Sequence, residues 1–363
     1  MTLSRVPLIR PPVAFDDVEE SLRAVFESGI FTRGEYVENF RAEVAKATTA
    51  TYAHLTTSAT TALSAALRVL GIRPGDEVAV ADFSFPATSN AVEEVGATPV
   101  FVDVSPETFN MRIDALEAAI SDRTRAVIFV STFGNPTGLH AIRDLCRGKG
   151  LPIIDDAACA IGSHERGARS GKIADLSCFS FHPRKVITTG EGGAITTERK
   201  EWSDRLGRML NHGAVVENGR WEFVEPGTNL RLTEFQAAIG IHQLRRLDAI
   251  VAERNRIAGE YRKALAPLGF RAQTYASDAG GNSQSVVFRV PEPGMRDRLI
   301  AHLKGAKIES TLGTYCLSGT AFNRKRYGKV CPNAESLEKE TITLPCYEGM
   351  PLDRVLSGIQ SFF

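Results

Sequence analysis

Between residues 59 and 200 the chain alternates short β-favouring apolar runs with helical patterns, and this alternation constrains the fold more than any other feature. The spacing predicts helices over 59–70, 87–95, 113–120 and 139–148, and strands over 77–81, 99–104, 126–131, 152–155, 177–181 and 193–197. Runs such as Val78-Ala79-Val80-Ala81 and Ala126-Val127-Ile128-Phe129-Val130 are apolar at every position, so both faces of each strand must be covered. Strands buried on both sides and alternating with helices imply a mostly parallel central sheet sandwiched by helices, the α/β class. Sheets of this kind bind ligands at the carboxyl ends of their strands.

A long helical pattern over 234–265 leads out of this region. Beyond it the reading is strands over 285–290, 307–309 and 341–344, with helices over 294–303, 334–340 and 352–359: a smaller C-terminal α+β domain. The expected division is therefore 1–245 for the N-terminal segment and large domain, and 246–363 for the small one. The loop 275–283, rich in Gly, Ser and Asp, reads as exposed and mobile. With 363 residues and 43% hydrophobic content the chain has material for two cores. Lys plus Arg and Asp plus Glu both number 43, which argues against nucleic acid or an acidic membrane surface and favours a small-molecule substrate. Six scattered cysteines form no C-x-x-C pair, so they read as reduced thiols of a cytoplasmic protein. Residues 1–12 lack a signal-peptide core, and no stretch approaches the ~18 apolar residues of a membrane span.

Three segments carry candidate chemistry. Lys185 stands between a strand and the glycine turn Gly190-Glu191-Gly192-Gly193, hence in a loop at a sheet end, where a partly desolvated amine gives up its proton more readily than a surface lysine. Asp155-Asp156 ends another strand; a solvated turn, a metal site and a carboxylate facing a cofactor's ring nitrogen all fit, and alternation allows only one of the two to face a given site. Ser58 precedes a clear helix, which makes it either a plain N-cap or part of an anion site at Ala59 and Thr60. Phe85, after the next strand, is either a core residue or a ring to stack on a cofactor.

These segments, with Gly29-Ile30-Phe31-Thr32-Arg33-Gly34, Gly75-Asp76-Glu77-Val78, Asn211-His212-Gly213 and Asn229-Leu230-Arg231-Leu232-Thr233-Glu234, resemble in order the DegT-type sugar aminotransferases, which are pyridoxal-phosphate enzymes of fold type I. The resemblance implies that Lys185 is the Schiff-base lysine and that Asp156 binds the pyridine nitrogen. It places Ala59, Thr60 and Ser180 on the phosphate and Phe85 over the ring. It sends Asn229 across a homodimer interface to the neighbour's phosphate, so that active sites are shared, and it puts Thr32, His182 and Arg231 near substrate, with bracing of the lysine loop equally open for His182. The implied reaction moves an amino group from glutamate or glutamine to a keto sugar, nucleotide-linked in such enzymes, within amino-sugar biosynthesis. Related sugar dehydratases carry histidine in place of the lysine, so Lys185 favours transamination over that alternative and over a non-catalytic regulatory role. Arg33, Arg184 and Arg231 are all open as the donor's carboxylate clamp. Two departures stand out. Cys159 occupies a position that commonly holds Gln or His, and the stretch Tyr315-Cys316-Leu317-Ser318-Gly319 lacks the usual Tyr-x-x-x-His.

Overall fold

The computed structural model describes residues 4–363. Its centre is a seven-stranded sheet built from β1 (Tyr52–Thr56), β2 (Glu77–Ala81), β3 (Thr98–Val102), β4 (Thr124–Val130), β5 (Ile153–Asp156), β6 (Leu176–Ser180) and β7 (Gly193–Thr197). The order across the sheet is β1-β7-β6-β5-β4-β2-β3. All neighbours are parallel except β7, which runs antiparallel to both β1 and β6. The continuous apolar runs are explained by two cores, one on each face. Ala79, Ala81, Val127, Phe129 and Ile153 pack on one side, while Val78, Val80, Ala126, Ile128 and Ile154 pack on the other.

Most of the expected elements form within two residues of their sequence bounds. β1 lies outside that expectation, because Tyr52-Ala53-His54-Leu55-Thr56 is short and carries a polar His54 that the interior satisfies through Ser203 Oγ at 2.9 Å. Also beyond the sequence reading are the helices Glu19–Ser28, Glu35–Thr48 and Lys200–Met209, and the hairpin Ala214–Glu217 with Arg220–Phe223. The long helical pattern divides into Glu234–Arg245 and Leu247–Leu265, with Arg246 between them at φ −100°, ψ 3°. There the Arg246 N–H donates to the Gln243 carbonyl at 3.0 Å, a tighter three-residue turn that re-aims the second helix.

The second sheet is antiparallel, in the order Arg271–Ala272, Val286–Arg289, Thr341–Leu344, Thr311–Leu312. The strand expected over 307–309 is replaced by a turn with Lys307 at φ 58°, after which Ile308 bridges to Val6. Val6 shares its core with Ile257, Tyr261, Phe288, Leu299, Ile342 and Val355, so the first described residues pack with the C-terminal unit and not with the large sheet. The loop 275–283 meets its expected exposure only at Ser277 and Asp278; the rest is covered. Ala279–Gly280 pairs with His164–Glu165, and Asn282 is fully buried, its Nδ2 donating to the carbonyls of Cys159 and Ile161, both at 2.8 Å. A polar segment reads as solvent-facing until its polar groups are matched to interior backbone. Among the described residues no helix is long and apolar enough to cross a membrane.

Candidate active site

The site assembles at the carboxyl ends of β1, β2, β5 and β6. After β1, Ser58 adopts an extended backbone and caps the helix Ala59–Val69: its Oγ accepts from the Thr61 N–H at 3.2 Å, and Thr61 Oγ1 accepts from the Ser58 N–H at 3.1 Å. The Ala59 and Thr60 N–H groups stay at the open end of the helix, where an anion is favoured. β7 begins directly against this turn. A Cβ on Gly193 would sit 2.4 Å from Ser58 C and 2.7 Å from Ala59 N, so the position admits no side chain.

Asp155 and Asp156 end β5 and point opposite ways. Asp155 is fully buried, takes a 2.9 Å hydrogen bond from Ser131 Oγ on Oδ1, and has no partner on Oδ2; burial pushes its carboxyl up to about 8. Asp156 faces the cavity. Its Oδ2 accepts from Thr88 Oγ1 at 2.7 Å and its Oδ1 from the Ala158 N–H at 3.2 Å. Burial raises this carboxyl above its ordinary range, opposed by the Thr88 bond and the charge of Lys185. Lys185 follows β6 in a tight turn closed by its N–H donating to the His182 carbonyl at 2.8 Å, and its Nζ donates to Cys159 Sγ at 3.1 Å. The thiol at the departure position thus meets the lysine itself. Burial lowers the pKa of His182, partly countered by Glu191, whose carboxylate lies 3.9 Å from Nε2.

One cavity of about 760 Å³ gathers these groups: Ala59, Thr60, Phe85, Asp156, Ser180, His182 and Lys185 all line it. Phe85 is 65% exposed and edge-on to Tyr315, with ring centroids 6.3 Å apart; the ring is therefore free for a ligand instead of filling the core. Asn229, Thr32 and Arg231 do not line this cavity. They gather elsewhere: Arg231 Nη1 and Arg33 both donate to Asn211 Oδ1, the former at 3.0 Å; Asn211 bridges to Asn229, and Thr32 to Thr233. Sequence reasoning passes over Thr88, one turn after Phe85, and gives Glu191 and Gln284 no role although both line the cavity. Thr88 has a readable signal, since a hydroxyl in the first turn of a helix that follows a strand end commonly points into the same rim. Gln284 has none, because only the small unit's packing carries it there.

The model of the DegT/DnrJ/EryC1/StrS aminotransferase family matches residues 15–361. The chain belongs to that family. It is 33% identical to the spore coat polysaccharide biosynthesis protein SpsC of Bacillus subtilis over 98% of this chain and 96% of that protein, and 31% identical to the GDP-perosamine synthase of Escherichia coli O157:H7 over 97% and 96%. Among solved structures, DesV of S. venezuelae, crystallised with a ketimine intermediate, superposes with a TM-score of 0.92 at 31% identity over 99% of both chains. PseC of Helicobacter pylori, at 23% identity over 99% of both chains, shares the fold with a TM-score of 0.93. The chain is thus an aminotransferase of fold type I, as its motifs imply, and its family works in amino-sugar biosynthesis.

Proposed function

We propose that this aminotransferase uses pyridoxal phosphate in the Lys185 cavity to move an amino group from glutamate or glutamine to a keto sugar, nucleotide-linked as the name GDP-perosamine synthase suggests. The observation that carries the reading is the convergence of a lysine amine, a buried carboxylate and an open helix N-terminus on one cavity. The residues fit the cofactor. Asp156 is a buried carboxylate whose two hydrogen bonds come from neutral donors, so a protonated ring nitrogen would give it a charged hydrogen-bond donor in addition to the nearby charge of Lys185. The Ala59 and Thr60 N–H groups and the Ser180 hydroxyl suit the phosphate, and the exposed ring of Phe85 suits the cofactor's face. When bound, the cofactor supplies an aldehyde for the lysine and an electron sink for the carbon that is deprotonated.

The chain's own groups do the rest. Lys185 Nζ would hold the cofactor, and as a free amine it would take the proton from the donor's α-carbon and deliver one to the acceptor carbon, so a single amine would serve as nucleophile and as base. Cys159 stays within reach of that amine and orients it. His182, whose pKa burial lowers, braces the turn by accepting the Arg184 N–H on Nδ1 at 3.1 Å. The working unit is a cytoplasmic homodimer in which Asn229, Thr32 and Arg231 of one copy complete the site of the other. Trp221, 53% exposed, Phe223, 70% exposed, and Phe31 give the region of Asn211 the apolar surface such an interface needs.

An absorption spectrum with pyridoxal phosphate tests the reading. The wild type is expected to show a yellow band that glutamate or glutamine bleaches, and Lys185→Ala is expected to lack it. A band that no amino donor bleaches would sink amino transfer. Given bleaching, restoration of the band by keto-sugar nucleotides identifies the acceptor.

A further inference from the structure

Of the three arginines left open by the sequence, only Arg184 lines the cavity. The cavity has three strongly basic side chains, and they differ in what they already hold. Arg254 is buried and spent on the structure, donating to the carbonyls of Ser283 at 3.1 Å and Gln284 at 2.7 Å. Lys185 holds Cys159 Sγ. Arg184 is exposed, and among the described residues its guanidinium makes no hydrogen bond or ion pair; the nearby Glu309 carboxylate feels its charge but is held by the Leu8 N–H at 2.6 Å and by Arg5. The Arg184 backbone, by contrast, is fixed from both sides. The N–H donates to His182 Nδ1, and the carbonyl accepts from Gln284 Nε2 at 2.6 Å. The tight turn from His182 to Lys185 brings consecutive side chains to the same cavity, which an extended strand would send to opposite faces.

Building on the amino-transfer reading, we propose that Arg184 is the carboxylate clamp for the amino donor and binds the carboxylate attached to the donor's reacting carbon. That carboxylate is one bond from the carbon whose proton Lys185 Nζ takes, so its clamp has to stand beside the lysine, and Arg184 is the residue beside it. A nucleotide's phosphates lie a sugar ring away from a reacting carbonyl carbon and would be met farther from Lys185. A guanidinium also presents two parallel N–H groups to a carboxylate, which orients the adjacent carbon as well as binding it.

The test uses full-length, cofactor-loaded Arg184→Ala and Arg184→Lys. Bleaching of the yellow band by glutamate and by alanine, which carries only the one carboxylate, gives the half-saturating donor concentration. Titration calorimetry with maleate, which has no amine, reads carboxylate recognition without chemistry. Arg184→Ala is expected to raise both the donor half-saturation and the maleate dissociation constant about 10- to 100-fold, with the band itself formed as in the wild type. Arg184→Lys should recover part of the loss. Unchanged donor and maleate affinities in Arg184→Ala would overturn the proposal, as would a loss confined to Arg231→Ala. If no amino acid bleaches the wild-type band, the amino-transfer reading fails, and the maleate titration alone then decides whether Arg184 recognises carboxylates.

Discussion

The cavity around Lys185 and the cluster around Asn211 draw on the same set of family-like motifs, yet they are built in opposite ways. In the cavity the functional side chains follow the carboxyl ends of parallel strands of one sheet, and the buried carboxylate among them has specific donors within the same chain. At Asn211 two arginines converge on a single amide oxygen, and their like charges lower the pKa of Arg231 further after burial has done so. Around them stand exposed aromatics, with the Arg33 guanidinium 5.5 Å from the Trp221 ring. Strand ends fix positions within one chain. The Asn211 cluster combines two cations with exposed apolar surface, which the proposed dimer would cover.

The sharpest break in the comparison comes from the cavity. Lys185→Ala should lower the rate of donor deprotonation by about 10⁴-fold, measured as exchange of the donor's α-hydrogen with deuterated water, and no substitution at Asn211 should approach that loss. Next comes the aspartate pair. Asp156→Asn removes the proposed charged partner of the ring nitrogen and is expected to weaken cofactor retention by about ten- to hundredfold, read by equilibrium dialysis. Asp155→Asn should leave retention unchanged, because that side chain points to Ser131 and away from the cavity. Equal losses in the two variants would refute the assignment of Asp156.

The Asn211 side of the comparison is tested by hybrids. If Asn229 serves the partner's site, co-expression of Lys185→Ala with Asn229→Ala gives mixed dimers with one intact site of two, and the pool should recover about a quarter of wild-type activity. Recovery no greater than that of the separate variants mixed without exchange would show that each chain works alone. Phe223→Glu should move the protein toward the monomer in sedimentation and lower activity on dilution.

The same contrast explains how much could be read in advance. The cavity's core set was legible because each member sits at a strand end, and strand ends are located by apolar runs: Ile153-Ile154 delivers Asp156, and Leu176 to Phe179 delivers Ser180 and the Lys185 turn. Alternation assigns Asp155 and Asp156 to opposite faces, and the structure agrees. What stayed hidden depends on long-range packing. Gln284 reaches the cavity only because the small unit folds back, and Asn282 is buried only because it can serve the carbonyls of Cys159 and Ile161. Neither pairing has a local signature. Likewise Glu234 accepts from the N–H groups of Gly34, Tyr36 and Val37, which explains physically why a glycine ends the Gly29–Gly34 segment: a Cβ there would lie 2.6 Å from the Glu234 carboxylate.

The smallest expected effect is on stability, and it isolates Asp155 from the chemistry. Its carboxyl is pushed up to about 8 in the folded chain and returns to the ordinary 3.8 on unfolding. Below about pH 4 both states hold the proton. Between about pH 4 and 8 the unfolded chain releases it while the folded chain keeps it, so the folded state binds more protons and stability falls as pH rises; above about 8 no further loss accrues. The amide of the Asp155→Asn variant has no proton to release. From about pH 5 to about pH 8 the melting midpoint should therefore drop more for the wild type than for Asp155→Asn, with cofactor retention the same in both. A parallel pH dependence would mean that Asp155 is ionised inside the sheet, and the unpartnered Oδ2 would then have to be matched by a donor on the cavity side, which would blur the division of labour between the two aspartates.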